Sequence, residues 1–193
     1  MKRVCVFCGS SAGARPAYGE AARALGRALA RRGLGLVYGG GHVGLMGIVA
    51  DAAMAAGAEV RGVIPRTLLE RELGHREVTQ LHVVGSMHER KALMADLSDA
   101  FVALPGGIGT LEELAEVFTW TQLGLQEKPV GLLDVEGYYD HFAAFLDHAT
   151  GEGFMRPEHR SILLVDEDGE RLLDRLGDWS SPHLKRWIDS ASR

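Results

Sequence analysis

The sequence predicts an α/β protein, a single-domain doubly wound parallel sheet of the Rossmann-like class. Short apolar runs alternate with helical patterns along the whole chain. The runs are apolar at successive positions, as expected of strands covered on both faces. No low-complexity linker or internal repeat interrupts the 193 residues, so we expect one domain over residues 1–180 and a C-terminal tail over 181–193.

Each strand can be assigned together with the helix that follows it. The strand KRVCVFCG precedes an alanine-rich helix, YGEAARALGRALARRG, and the strand GLGLVYGG precedes GLMGIVADAAMAAG. AEVRGVIP and TQLHVVGS are the third and fourth strands, with the helix MHERKALMADLSD after them. The fifth strand, AFVALPGG, leads into TLEELAEVFTWTQLG, and PVGLLDV leads into YYDHFAAFLDHATGEG. ILLVDEDGERLLDRL completes the series, and right-handed crossovers join the strands.

Composition and charge exclude several classes of partner. Hydrophobic residues make up 46% of the chain and charged residues 24%, which is ordinary for a globular protein. The net charge is −5 and no basic stripe is present, so we expect no nucleic acid partner. No apolar run is long enough to span a membrane or to serve as a signal peptide. A cytoplasmic protein without a membrane partner is therefore expected.

Cysteine and histidine spacing argues against a metal or redox centre. Cys5 and Cys8 have C-x-x-C spacing but fall in the first strand, and no second Cys/His pair is suitably spaced. We therefore expect both to be small core residues. The 8 histidines form no H-x-x-x-H or H-E-x-x-H pattern, so no metal site is expected.

Three loops follow strands at the sheet edge where such folds bind ligands. They are CGSS at residues 8–11, GGGHVG at 39–44 and PGGIGT at 105–110. A phosphate accepts hydrogen bonds from backbone N–H groups where no Cβ blocks its approach, and the helix dipole favours the anion. This favours Gly40, Gly41 and Gly44 as phosphate contacts, with Thr110 adding a hydroxyl donor. The alternative is that these glycines only make tight turns.

The second loop also carries the G-x-G-x-x-G spacing of dinucleotide sites, at Gly39, Gly41 and Gly44. A dinucleotide site needs an acid at the end of the next strand, and that strand ends VIPR. No Gly-Lys-Ser/Thr follows either glycine-rich loop, so a triphosphate site is also disfavoured. A nucleoside monophosphate fits better.

The third loop runs into paired carboxylates. On a helix that begins near Thr110, Glu112, Glu116 and Thr119 share one row, and Glu113 lies beside it. Acids in a first turn can simply complement the helix dipole. A functional interpretation is favoured by Arg90, which opens the helix after the fourth strand at the same sheet edge and can pair with a carboxylate or a phosphate.

Taken together, the motifs GGGHVGLMG, SMHERK and PGGIGTLEEL, in this order and at these separations, resemble the Lonely Guy (LOG) family of cytokinin-activating phosphoribohydrolases. The resemblance runs from FCGSS to GEGFM and covers most of the chain. Families of this type have also been labelled lysine decarboxylases. No lysine here lies in a recognisable pyridoxal phosphate setting, and we expect no cofactor.

The resemblance implies hydrolysis of the N-glycosidic bond of N6-substituted adenosine 5′-monophosphates, with AMP as a further candidate substrate. It also implies a homodimer with the site near its interface, and Arg90 and Glu113 as the catalytic residues. Glu113 would activate water and stabilise positive charge on the sugar, while Arg90 would orient the substrate and keep Glu113 ionised.

The ligand contacts implied by the resemblance are spread over three segments. Glu72 lies after the third strand, in a segment where Glu70 replaces the family's usual proline, and Thr119 would come from the dimer partner's side. The others are Lys91, Gly106, Gly107, Ile108, Gly109, Thr110, Leu111 and Glu112. A non-catalytic carrier of a nucleotide or phosphorylated cofactor, with the same fold, is the alternative.

Overall fold

Seven strands and their connecting helices make up the part of the chain that the structure describes, residues 1–69 and 74–182 of a computed structural model. The strands are β1 (Arg3–Phe7), β2 (Gly35–Tyr38), β3 (Val60–Pro65), β4 (Gln80–Val84), β5 (Ala100–Ala103), β6 (Val130–Leu133) and β7 (Leu163–Asp166). The helices are α1 (Pro16–Arg31), α2 (Gly44–Ala55), α3 (Arg66–Leu69), α4 (Met87–Asp96), α5 (Ile108–Gln122), α6 (Asp140–Gly151), α7 (Pro157–Arg160) and α8 (Gly169–Gly177). A 3₁₀ turn, Val135–Gly137, follows β6.

The strands pair in parallel in the order β4-β3-β2-β1-β5-β6-β7. Strands β2, β3 and β4 are therefore added in turn on one side of β1, and β5, β6 and β7 are added on its other side. This reversal places a crevice outside the carboxyl ends of β1 and β5, the position where open α/β sheets bind ligands. The predicted doubly wound, Rossmann-like fold is confirmed.

Each sheet face is buried under its own layer of helices. Alternate residues of β1 point to opposite sides: Val4 and Val6 join the core under α1, α2 and α8, whereas Cys5 and Phe7 join the core under α4, α5 and α6. The ring of Phe7 stacks on Phe101 at 5.9 Å. Each fully buried large apolar side chain contributes roughly 1.5–3 kcal/mol. Both cysteines are free and buried, which confirms that they are core residues.

Some boundaries differ from the sequence prediction. α5 begins at Ile108 rather than near Thr110, because the N-cap is Gly107, in extended conformation. The short helices α3 and α7 are only 4 residues each, too few to show a helical period. ILLVDEDGERLLDRL divides into β7 and α8 where Asp168 caps the helix by accepting from the Arg171 N–H at 2.8 Å.

Two further predictions fall partly outside the described residues. Residues 183–193 are not described, so the separate C-terminal tail stays a prediction. Across residues 1–69 and 74–182, no helix combines the length and apolar character needed to cross a membrane.

Candidate active site

A cavity of about 400 Å³ opens at the carboxyl ends of β1 and β5. Residues 6–10, at the end of β1, and residues 107–110, after the neighbouring strand β5, line part of it. The remaining described lining residues are Gly39, Met46, Leu68, Met87, Arg90, Glu112 and Glu113. The cavity therefore lies at the reversal of strand order and collects residues from five loop or helix segments.

Arg90 is held in place by the first turn of α4. Ser86 accepts a hydrogen bond from the Glu89 N–H at 3.1 Å, and the Glu89 carboxylate accepts one from the Gly85 N–H at 2.8 Å. This reciprocal arrangement, close to a capping box, fixes the helix start. Arg90 then extends inward and is only 6% exposed.

The Arg90 guanidinium is oriented by two backbone carbonyls. Its Nε donates to the Val63 carbonyl and its Nη2 to the Gly39 carbonyl, each at 3.1 Å. The remaining nitrogen, Nη1, lies 3.5 Å from Oε1 of Glu113. A cation with two of its three nitrogens bound to backbone carbonyls therefore stands beside the carboxylate. The structure thus brings together the two residues that the sequence predicted to be catalytic.

The pair is largely buried. The side chains of Arg90 and Glu113 are 8% and 11% exposed, so their mutual attraction is weakly screened. The pair also affects the neighbouring Cys8 thiol. Burial is the main cause that raises the pKa of this thiol, and the negative charge of Glu113 raises it further, whereas the positive charge of Arg90 lowers it. A thiol with a raised pKa is a poor nucleophile at neutral pH, and Cys8 therefore serves as cavity wall.

The N-terminus of α5 leaves its amides open toward the cavity. The first bonded N–H is that of Leu111, which donates to the Gly107 carbonyl at 3.2 Å. The N–H groups of Ile108, Gly109 and Thr110 have no acceptor among the described residues. A Cβ at Gly107 or Gly109 would meet nothing within 4 Å. Protein packing does not require these two glycines, and their bare backbone suits a close anionic ligand.

Gly106 has a different explanation. A Cβ there would lie 2.1 Å from Oγ1 of Thr110 and 2.9 Å from the Gly9 nitrogen, so packing demands glycine. Its carbonyl also accepts a hydrogen bond from the Tyr138 hydroxyl at 2.5 Å. Thr110 itself is buried, with 4% exposure, beneath the glycine that covers it.

In the loop between β2 and α2, the β1 loop packs against the start of the helix. The Leu45 N–H donates to the Gly9 carbonyl at 3.0 Å, and a Cβ at Gly44 would lie 2.3 Å from backbone of Ser10. Gly40 has φ +78° and its carbonyl accepts from the His75 N–H at 3.0 Å. Gly40, Gly41 and Gly44 do not line the cavity. These contacts support the alternative that the three glycines are needed for a tight turn and for close packing. Their role as phosphate contacts stays a prediction.

Lys91 turns toward the acids of α5. Its Nζ lies 2.5 Å from Oε1 of Glu112 and 3.0 Å from Oε1 of Glu116. This contact shows that the two acids share one helix row, as the spacing predicted. Glu112 lines the cavity whereas Lys91 does not, so Lys91 adjoins the site through Glu112.

Two other predicted site residues do not line the cavity, and a third falls outside the described residues. Thr119 is exposed on α5, and Leu111 is partly buried against the core under α5. Glu72 lies within residues 70–73, outside the described residues. Thr119 and Leu111 therefore do not line the cavity of a single chain, and the place of Glu72 stays a prediction.

Several lining residues were not predicted as site residues. Phe7, Cys8 and Ser10 come from the end of β1, a loop that the sequence had singled out by its position only. Met46, Leu68 and Met87 also line the cavity. In the sequence, the only sign that these residues line the site is that they follow a strand or lie near the start of a helix. Side chains at such positions reach the carboxyl edge of the sheet.

A second cavity, of about 290 Å³, adjoins the first. It shares Gly9, Ser10 and Gly107 with the first cavity and is closed by Tyr18 and Tyr138, whose rings meet edge to face at 5.6 Å. The two spaces meet at the β1 and β5 loops, so a ligand at the α5 amides could extend into either.

Comparison with known proteins gives consistent relationships. A family model described as "Possible lysine decarboxylase" matches residues 46–176. The chain is 52% identical over 185 residues to the cytokinin riboside 5′-monophosphate phosphoribohydrolase LOG1 of Arabidopsis thaliana, covering 96% of this chain and 87% of that protein. It is 54% identical over 179 residues to the probable phosphoribohydrolase LOGL9 of Oryza sativa subsp. japonica, covering 93% and 79%.

A solved structure also resembles the fold. The molybdenum cofactor carrier protein of Chlamydomonas reinhardtii superposes with a TM-score of 0.69 at 23% identity, covering 92% of this chain and 99% of that one. At this identity the similarity concerns the fold alone.

Proposed function

The chain belongs to the LOG family of cytokinin riboside 5′-monophosphate phosphoribohydrolases, and we propose that Glu113 and Arg90 are the residues with which it cleaves its substrate. The enzyme class is a hydrolase of the nucleotide N-glycosidic bond, since the relatives at about half identity carry that activity. The observation that carries the residue assignment is the buried Arg90–Glu113 pair, 3.5 Å apart, in the wall of a cavity bordered by open amides.

The open amides suit the 5′-phosphate. Three N–H groups at the start of a 15-residue helix offer hydrogen bonds and the positive end of a dipole to a dianion. Gly107 and Gly109 let the phosphate approach the backbone. Glu113 lies on the same helix, just over one turn further along, so a nucleotide anchored there places its sugar beside the carboxylate.

The bond changes follow from this placement. The bond from the ribose anomeric carbon to the base nitrogen breaks, and its electron pair leaves with the base. The oxygen of a water molecule bonds to the anomeric carbon, and one of its protons passes to Glu113. The leaving base takes up one proton and Glu113 releases the one it accepted, so the net reaction consumes one water and gives the free base and ribose 5-phosphate. The ionised Glu113 stabilises the positive charge that develops on the sugar, in the way that carboxylates act in glycosidases.

Arg90 acts by position and charge. Because two of its donors are bound to the carbonyls of Gly39 and Val63, it cannot swing away to follow a ligand. It holds Glu113 in its ionised form through the opposite charge and offers the rest of its guanidinium to the sugar or phosphate.

The substrate is an adenosine 5′-monophosphate with an N6 substituent, and AMP is the second substrate to be compared. Met46, Met87 and Leu68 provide an apolar wall to the cavity, suited to a base or an aliphatic N6 group. A nucleotide carrier of the same fold would bind without cleavage, and no feature of the site favours it over hydrolysis.

The test is turnover by purified protein with isopentenyladenosine 5′-monophosphate and with AMP, with the free base quantified by chromatography. Glu113→Gln keeps the shape of the side chain but cannot accept a proton, and we expect turnover to fall by roughly 10²–10⁴-fold with nucleotide affinity largely retained. Glu20→Gln, an exposed acid on α1, is the matched control. Near-normal turnover by Glu113→Gln would refute its role, and tight binding with no base released by wild type would favour the carrier.

We extend the proposal to a homodimer and to the cytoplasm. Ile108 is 83% exposed and Met87 is 41% exposed at the rim of the cavity, where apolar side chains favour coverage by another chain. A partner chain there would explain how the exposed Thr119 reaches a site. Sedimentation of the 20.9 kDa chain as a species of twice that mass is expected, and a monomer at assay concentration would contradict it.

A further inference from the structure

A cluster of two histidines and one aspartate lies away from the candidate active site. His42 precedes α2, Asp51 lies in α2, and His75 precedes β4. One potential ligand atom from each lies within 4.8 Å of the other two. None of the three lines the active-site cavity, and the proposed hydrolysis does not use them.

The contacts within the cluster are those of a nearly assembled site. Nε2 of His75 lies 2.8 Å from Oδ1 of Asp51, and the rings of His42 and His75 stack with centroids 4.1 Å apart. Because the lone pair of an imidazole nitrogen lies in the ring plane, the exposed His42 ring must turn out of this stack to face the same ion as His75. The two histidines are 33 residues apart in the chain, which is why no ligand spacing was visible in the sequence.

His75 is the member of the cluster whose position is fixed by the surrounding protein. It is 1% exposed, its backbone N–H donates to the Gly40 carbonyl at 3.0 Å, and Gly74 beside it bridges to Gly41. Its Nδ1 is buried and has no hydrogen-bond partner among the described residues. Nε2, the other ring nitrogen, faces Asp51, so Nε2 is the ligand atom that the buried His75 presents to the cluster.

We propose that His42, Asp51 and His75 bind a divalent transition metal ion of the zinc class. Imidazole and carboxylate are ligands that Zn²⁺ prefers, and three protein ligands with one water complete a tetrahedron. Bonds of about 2.0–2.1 Å place tetrahedral ligand atoms about 3.3 Å apart. The separations in the cluster, from 2.8 Å to at most 4.8 Å, bracket that value. Because His42 and Asp51 are exposed, their side chains have room to close on the ion.

The ion would have a structural role and cross-link three segments of the chain. It joins the loop before α2, the body of α2 and the segment before β4. The loop before α2 also contains Gly39, whose carbonyl accepts a hydrogen bond from Arg90. By holding this loop in place, the bound ion would restrict the movement of the Arg90 side chain. The metal is not a reactant in the proposed hydrolysis, because its ligands lie outside the cavity wall.

The experiment is zinc titration of tag-free, chelator-treated full-length protein, by calorimetry and by competition with a chromophoric chelator. We expect one Zn²⁺ per chain with a Kd of about 1 µM or lower and a raised unfolding temperature with zinc. His42→Ala and Asp51→Asn each remove one ligand at an exposed position. Each should weaken binding by at least the 10–100-fold typical of damage to a metal site and abolish the thermal shift.

His148→Ala removes an exposed histidine of α6 that is not in the cluster, and it should bind zinc as wild type does. Co²⁺ in place of Zn²⁺ should give the intense visible absorption of a tetrahedral site in wild type and lose it in His42→Ala. The proposal fails if wild type binds no stoichiometric zinc, or if His42→Ala and Asp51→Asn bind it as tightly as wild type does.

Discussion

Gly39 and Arg90 compete for one space: a Cβ on Gly39 would lie 2.0 Å from Nη2 of Arg90. That nitrogen donates to the carbonyl of the same glycine at 3.1 Å. The absence of a side chain at Gly39 is therefore what allows Arg90 to reach its anchor and stand beside Glu113. A glycine that the sequence associated with a dinucleotide motif instead positions the side chain of Arg90, which we propose to be catalytic.

The first prediction is that Gly39→Ala displaces Arg90. The φ angle of Gly39 is not in the left-handed region, so alanine is tolerated by the backbone and the guanidinium must move. We expect kcat/KM to fall by about 10²-fold, the effect of misplacing a catalytic group by about 1 Å, with a stability loss of about 1–3 kcal/mol. Gly151→Ala, where a Cβ meets nothing within 4 Å, is the control for both. Unchanged kcat/KM in folded Gly39→Ala would contradict the arrangement.

The second prediction concerns Lys91. Its ammonium lies between Glu112 and Glu116, and Glu112 borders the cavity. Lys91→Met would leave an uncompensated carboxylate near the phosphate, so we expect KM to rise by about tenfold, equivalent to about 1.4 kcal/mol, with a smaller change in kcat. Steady-state kinetics measures the changes in KM and in kcat separately. Lys91→Arg should restore most of the affinity, and Lys2→Gln should change neither constant. A fall in stability with KM unchanged would limit Lys91 to a structural role.

The third prediction is a pH dependence at Asp166, at the end of β7. The hydrogen bonds from Arg171 chiefly, with others from the Asp168 N–H and Arg175, hold the pKa of this carboxyl far below its usual range. A lowered folded-state pKa means that the carboxylate stabilises the fold above its unfolded pKa of about 3.9 and loses this effect as the pH falls toward the folded value. We expect Asp166→Asn to cost roughly 2 kcal/mol at pH 7.

Urea unfolding of wild type and Asp166→Asn between pH 7 and pH 2 tests this expectation. The difference in free energy of unfolding should be constant down to about pH 4 and shrink below it. Asp147→Asn breaks an exposed pair with Arg160 and should cost at most about 1 kcal/mol. A difference between wild type and Asp166→Asn that does not vary with pH would show that the stabilisation is not ionic.

The sequence by itself determined the class of fold, the order of its major elements and the family, because apolar runs, helical periods and short motifs are local properties of the chain. It also placed Arg90 and Glu113 at one edge, since parallel strands end on the same side of a sheet. Only the tertiary structure showed that the β1 loop packs against the start of α2, where the Leu45 N–H donates to the Gly9 carbonyl and a side chain on Gly44 would meet Ser10. It alone revealed the His42, Asp51 and His75 cluster, because ligands distant along the chain meet only when packing of helices and strands brings them together.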